Sequence, residues 1–280
     1  MSDMRVNDLF YWVKERHAIY TRRAAGHPKP WTNDPILRSY RFCNVYRELD
    51  TVTQWITANI RTPYASHPDL WFNLAMARLV NLPESLAELG YFDEWSPNRF
   101  ITVLHSRREK GKNFMNSAYI VSTNGVAMDK AAYLADRVLT PLWVNRASLR
   151  PQRGDSLGTF ANKLNKHIGM GTFLTGQVVA DLKYVEPLKS ADDWWVWAMS
   201  GPGSRRGLNY VLGRDMDLPW VEKEWHRHLM LLADEIAPLI AKEEMPPLHA
   251  QDLQNCLCEL SKWAKVKHGL GRPKSTYPGS

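Results

Sequence analysis

The chain has 280 residues, with 36 Lys plus Arg against 29 Asp plus Glu, and 12 tryptophans. That length suits one large domain or two small ones, at about 100–200 residues per domain, and a hydrophobic fraction of 44% excludes wholesale disorder. No apolar run approaches the roughly 18–20 residues needed to span a bilayer, the three cysteines (Cys43, Cys256, Cys258) are too few for a disulfide scaffold, and a formal charge of +7 favours a polyanionic partner.

The pattern is helical almost throughout. The start, MSDMRVNDLF, has no signal-peptide core, and Val6, Leu9, Phe10, Val13, His17 and Tyr20 recur at three- and four-residue steps as one face of an opening helix. Asp34-Pro35 reads as N-cap and first helical residue, because proline has no N–H to waste there. Ser96-Pro97 repeats that signal before Phe100, Ile101 and Leu104. Residues 118–128 place Asn124-Gly125 between short apolar runs, which predicts a β-hairpin. Further stripes follow: Leu157, Phe160, Ala161, Leu164 and Ile168; then Leu229, Leu232, Ile236, Leu239 and Ile240; then Leu253, Leu257, Leu260 and Ala264. The expected architecture is mainly α, a single helical unit over 1–280 divisible into lobes at 1–150 and 151–262, with a weak break near Arg150–Asp155. Residues 263–280 form a basic tail without acids, read either as a solvated terminus or as an arm on phosphates. Lys262 leads into it, and Lys265 and Lys267 lie at its start.

Several chemistries are disfavoured first. No G-x-x-x-x-G-K-[ST] occurs, so a P-loop kinase has no support, and neither H-E-x-x-H nor G-x-S-x-G is present. His226-x-His228 and Cys256-x-Cys258 would point different ways on a helix, which disfavours a metal site at either.

Two segments remain. In the first, Met199-Ser-Gly-Pro-Gly-Ser-Arg-Arg-Gly-Leu208 follows a stretch, Ala191–Ala198, read as helical, and precedes another helical run. A Gly-x-Gly turn between helices exposes N–H groups to an anion, so Gly201, Gly203, Ser204, Arg205 and Arg206 are expected to form a helix-hairpin-helix on a DNA phosphate. The alternative is a Gly-Pro turn between two core helices.

The second segment, 15–50, is denser in function-bearing types. Arg38, Arg41, Asn44, Arg47 and Glu48 fall at three- and four-residue spacings among Trp31, Tyr40, Phe42 and Tyr46. A solvated, salt-bridged face would explain the charges. Aromatics interleaved with arginines would equally form a surface for a nucleobase and its phosphates.

The run ERHAIYTRRAAGHPKPWTNDPILRSYRFCNVYRELDTVTQWI (15–56) resembles the phage alpha-glutamyl/putrescinyl-thymine pyrophosphorylases, the amino acid:DNA transferases, whose helical module also occurs beside 5-hydroxymethyluracil DNA kinases. The resemblance recurs in GTFLTGQVVADLKY (171–184), SGPGSRRGLN (200–209) and HAQDLQNCLCELSKW (249–263), and is weakest over about 57–150. It implies a DNA-glycosylase-like helical fold working in the cytoplasm of an infected bacterial host. The reaction it implies is displacement of pyrophosphate from activated 5-hydroxymethyluracil in double-stranded DNA by an amine, either an amino acid or a polyamine. A 5-hydroxymethyluracil DNA kinase is an implied partner, and no membrane is involved. Aromatic walls would then be needed around a flipped base, for which Trp31, Tyr40 and the Trp194/Trp195/Trp197 cluster are the candidates, the last also reading as packing for the hairpin. Cations would neutralise the pyrophosphate, the candidates being Arg22, Lys29, Arg38, Arg41 and Arg47, with Thr32, Asn44 and Gln177 as polar contacts. A general base would take the amine's proton: Asp34, Glu48, Asp50, Asp181 or Glu259, with Asp34 also fitting a cap. No cofactor is specified, and a divalent metal such as Mg²⁺ would suit the leaving group without any motif demanding it. Base-excision glycosylases place a catalytic Asp well after the hairpin. Here Asp215 and Asp217 come early, and Glu222, Lys223 and Glu224 follow, so base removal is the weaker expectation. A non-catalytic module that targets a kinase to DNA is the alternative.

Overall fold

The computed structural model describes residues 5–116, 123, 125–273 and 276. Its helices in chain order are α1 (Val6–Ala24), α2 (Pro35–Ser39), α3 (Thr51–Ile56), α4 (Leu70–Val80), α5 (Pro83–Leu89), α6 (Pro97–Glu109) and α7 (Lys130–Tyr133). They continue with α8 (Thr140–Val144), α9 (Arg146–Leu149), α10 (Leu157–Leu164), α11 (Thr172–Leu182), α12 (Pro202–Val211), α13 (Glu222–Lys242) and α14 (Ala250–Lys267). The fold is mainly α, as expected. Among the described residues the strand pairing recorded is one antiparallel bridge, between Tyr40 and Thr276. The β-hairpin expected at 118–128 falls largely on residues outside those described.

Local signals set many of the boundaries. Asp34 caps α2 by accepting from Ile36 N and Leu37 N, both at 2.8 Å, and Ser96 caps α6 by accepting from Arg99 N. Each satisfies donors that the first turn leaves without partners. The stripe of α10 is buried through Leu164, whereas Ile168 lies past the helix end and is exposed. On α1 the buried face is Leu9, Trp12, Val13, Arg16 and Ile19, so Phe10, His17 and Tyr20 form its half-buried margin.

The chain divides into two compact units, one made of Met1–Asp50 with Trp195–Ser280 and the other of Thr51–Trp194. The divisions therefore fall after Asp50 and Trp194, not at the break expected near Arg150–Asp155. Arg150 is tied instead into the second unit by a two-point bond to Asp69, each arm 2.8 Å.

In the first unit, α1, α12, α13 and α14 surround one apolar core. Trp12, Leu208, Trp225, Leu229, Leu257 and Leu260 are all essentially inaccessible in it. α12 lies along α14 because its contact face is glycine. A Cβ on Gly207 would stand 2.6 Å from the Leu257 carbonyl carbon, and one on Gly203 would stand 3.3 Å from Cys258 Cβ. In the second unit the whole of α4 is buried and packs on α11. Arg78 on α4 donates through Nε and Nη2 to both oxygens of Asp181 on α11, each at 2.6 Å, and Nη2 also reaches Thr53 Oγ1 at 3.0 Å.

Candidate functional site

Between α1 and α2 the chain turns back through Gly26, whose φ of +76° is costly for any residue with a Cβ. Trp31 is pinned in this turn, its indole N–H donating to His27 O at 2.7 Å. The Arg22 guanidinium donates to the Trp31 carbonyl and stands 3.6 Å from Glu15. The ammonium of Lys29 lies 5.4 Å from the Trp31 ring centre and the Arg23 guanidinium 6.0 Å, within reach of the ring's negative face. These groups open a cleft of about 550 Å³ lined by Tyr11, Glu15, Arg22, Trp31, Thr32, Asn33 and Asp34.

Asp34 is at the base of the turn and is saturated with donors. Besides the two cap bonds, its Oδ2 accepts from the Tyr11 hydroxyl at 3.0 Å and from Trp263 Nε1 at 3.2 Å. Four donors on one carboxylate fix the turn against α14. The Tyr11 hydroxyl is pushed up to about 12, first by burial and then by the Asp34 charge.

A second polar cluster of the same unit gathers around Arg16. From the buried face of α1 it donates to Phe42 O (3.0 Å) and Asn44 Oδ1 (2.6 Å). Asn44 N donates to Asp50 Oδ1 at 2.7 Å, Cys43 N to Glu259 Oε2 at 3.2 Å, and Lys262 Nζ to Glu259 Oε1 at 2.5 Å. Asp50 is pushed up to about 6, chiefly by burial. The Asn44 N–H and the Arg47 charge work against that rise and the Glu259 charge adds to it. A carboxyl poised there is half-titrated near pH 6 and mostly ionised at neutrality, which suits accepting a proton. Among the described residues no group of three or more His, Cys, Asp or Glu is placed to hold a metal ion.

The structure thus brings Arg22, Trp31, Thr32 and Asp34 to one cleft, with Lys29 beside the Trp31 ring, and Asn44, Arg47, Asp50, Glu259 and Lys262 to the Arg16 cluster. Arg38 and Arg41 are exposed, Tyr40 is half-buried, and Glu48 lies in the short turn Arg47–Leu49. Gln177 and Asp181 belong to the other unit and are buried there, Asp181 as the partner of Arg78. Arg16 was not among the expected site residues. Its signal was a cation three and four residues from Val13, Trp12, Ile19 and Tyr20, on the face that should be apolar.

The Gly-rich turn departs from the expected hairpin. Residues 191–198 contain no helix, because Trp194 Nε1 bonds Lys183 O at 2.6 Å and Lys183 Nζ bonds Trp194 O at 2.7 Å, holding the segment as a turn. Gly201 N donates to Ser204 Oγ at 3.0 Å, closing the start of α12 on itself. Gly203 faces α14. Arg205 is paired with Glu222 at 3.0 Å and Arg206 with Asp217 at 2.6 Å. Lys267 bonds Asp8 at 3.0 Å and lies 4.6 Å from the Trp263 ring centre, and Lys265 is half-buried in the last turn of α14.

Residues 3–272 match the family described as the helical domain of 5-hmdU DNA kinase. The chain belongs to this family. Within it, the chain is similar to the 5-hmdU DNA kinase of Bacillus phage SP10, being 29% identical over 228 residues, or 72% of the chain. The aligned region makes up 35% of that relative, so the chain spans about a third of its length. No solved structure matches. Both clusters described above lie inside the family match, at 11–50 and 252–263. No helix among the described residues is long and apolar enough to cross a membrane.

Proposed function

We propose that this helical-domain protein acts in the hypermodification of phage DNA containing 5-hydroxymethyluracil, as a transferase that installs an amine. The observation that carries the reading is the cleft at 22–35. There a pinned indole lies beside Arg22, Arg23 and Lys29, a pairing suited to a base and to a polyphosphate leaving group. The amine nitrogen forms a C–N bond at the 5-methylene. The C–O bond to pyrophosphate breaks, and its electron pair leaves with the phosphate. The ammonium proton goes to a carboxylate, for which Asp50 is suited by its position near 6. A divalent ion such as Mg²⁺ would enter with the pyrophosphate. DNA is the polymeric partner, an amino acid or polyamine the second substrate, and the infected cell's cytoplasm the setting.

DNA bearing the pyrophosphorylated base, mixed with the protein and an amine, is expected to release pyrophosphate. The digested nucleoside should gain the mass of the amine less water relative to hydroxymethyluridine. Absence of product with every amino acid and polyamine overturns the transfer.

A second reading has its own support: the match is to one domain of a kinase more than twice as long. In that reading the chain is a DNA-binding module that targets a hydroxymethyluracil kinase. It would raise kinase activity on DNA and bind plain duplex without turnover.

A further inference from the structure

Arg16 is a cation on the face of α1 that otherwise buries Leu9, Trp12, Val13 and Ile19, and it is itself only 7% exposed. It donates to Phe42 O through Nε (3.3 Å) and Nη2 (3.0 Å) and to Asn44 Oδ1 through Nη2 (2.6 Å). Its Nη1 has no acceptor among the described residues, and it forms no ion pair among them. Packing alone does not account for a guanidinium there. A methionine of similar length would cover that face without desolvating a charge or stranding a donor.

What Arg16 fixes is Asn44, whose four polar atoms are all engaged. Oδ1 accepts from Arg16, Nδ2 donates to Leu49 O at 2.7 Å, the carbonyl accepts from Asn255 Nδ2 at 3.1 Å, and the N–H donates to Asp50 Oδ1 at 2.7 Å. Asn44, expected as a substrate contact, is thus spent on the protein. We propose that Arg16 is a positioning residue for the Asp50 carboxylate, acting through Asn44. Arg16 orients the Asn44 side chain, the Asn44 N–H holds one oxygen of Asp50, and the other oxygen is left for the proton of the incoming ammonium. The Arg16 charge also favours the ionised form of Asp50, as does the Arg47 charge, while burial and Glu259 oppose both. This role rests on the reading of Asp50 as the base. Its main test uses no DNA, so its failure is separable from failure of the transfer reading.

The full chain is followed by NMR from about pH 4 to 9, across the range in which a raised Asp titrates. In the parent, the Asn44 amide proton should move downfield as Asp50 ionises, with the same midpoint as the Asp50 carboxyl carbon, and Asp50→Asn should abolish the movement. Arg16→Met removes a cation and frees the Asn44 side chain. Both changes raise the Asp50 midpoint, together by about 1 unit, and Arg16→Lys should restore part of the difference. In the transfer assay, kcat/KM of Arg16→Met should fall about 5-fold at pH 6 and approach the parental value near pH 9, a recovery that a merely structural role would not give. An Asn44 amide that does not titrate with Asp50 overturns the proposal, and that arm needs no Arg16 variant to fold. An Asp50 midpoint unmoved or lowered in Arg16→Met overturns it as well, as does a loss of kcat/KM that is equal at every pH.

Discussion

Gly207 on α12 faces the Leu257 carbonyl of α14 so closely that a Cβ would stand 2.6 Å from its carbonyl carbon and 3.0 Å from its Cα. Both are backbone atoms, so the helices themselves would have to part. Gly207→Ala is expected to cost at least the upper end of the roughly 1–3 kcal/mol typical of overpacking. Gly203→Ala meets mainly the Cys258 side chain, which can rotate, and should cost less. Urea midpoints at constant slope check this. A Gly207→Ala protein as stable as the parent would refute the close approach of the two helices.

Asp50 should make stability fall as pH rises and, if it is the base, make activity rise. Its native carboxyl titrates near 6, against 3.8 for an ordinary Asp, so between those values the native state holds more protons than the unfolded chain. Stability from this group is full below about pH 4 and is lost as pH rises through 6, by up to roughly 3 kcal/mol at 1.36 kcal/mol per unit. Asp50→Asn should therefore stabilise the protein at pH 7–8 and leave it little changed at pH 4. If Asp50 is the base, kcat/KM rises through pH 6 in the parent and falls at least 100-fold in the variant. A variant that is no more stable at pH 8 contradicts the shifted carboxyl.

Asp181 is expected to be structural. Removing one member of a buried pair leaves the other charge uncompensated, at about 3–5 kcal/mol, so Asp181→Ala and Arg78→Ala should each lower the melting midpoint sharply. The double variant should lose less than the sum, because neither charge is then stranded. Strict additivity would show that the two residues do not act together.

How far the sequence led can be judged at these same residues. Asp34 and Ser96 were legible as caps because a cap and its N–H partners lie within three residues. The mainly α fold was legible because long stripes repeat at helical steps. Gly203 and Gly207 were harder: glycines that expose a helix start and glycines that admit a second helix look alike until α14 is in place. The Arg16 cluster was hidden because its bonds join positions 16, 42–44, 50 and 259, and no local spacing encodes that meeting. Asp181 looked available as a base because its partner lies 103 residues away.

Trp31 in the cleft and the exposed Arg38 separate stacking from charge. Trp31→Ala should weaken binding to modified DNA by about 1–3 kcal/mol, the usual worth of a base on an aromatic ring, with little change in salt dependence. Arg38→Ala should instead reduce the slope of log K against log salt by about 1, because one phosphate then keeps its counterion. Binding isotherms at three salt concentrations distinguish them. Identical slopes in the parent and Arg38→Ala would remove Arg38 from the DNA surface.

The first unit is assembled from Met1–Asp50 and Trp195–Ser280, with Lys267 near one end of the chain bonded to Asp8 near the other. During synthesis, the opening helix leaves the ribosome with its Trp12 face bare. It must wait for the whole of Thr51–Trp194 before α12 and α14 arrive to cover it. The middle unit can close first, since its helices are contiguous in the chain. A nascent chain arrested before residue 195 would thus present an unsheltered apolar helix, the kind of segment a chaperone holds.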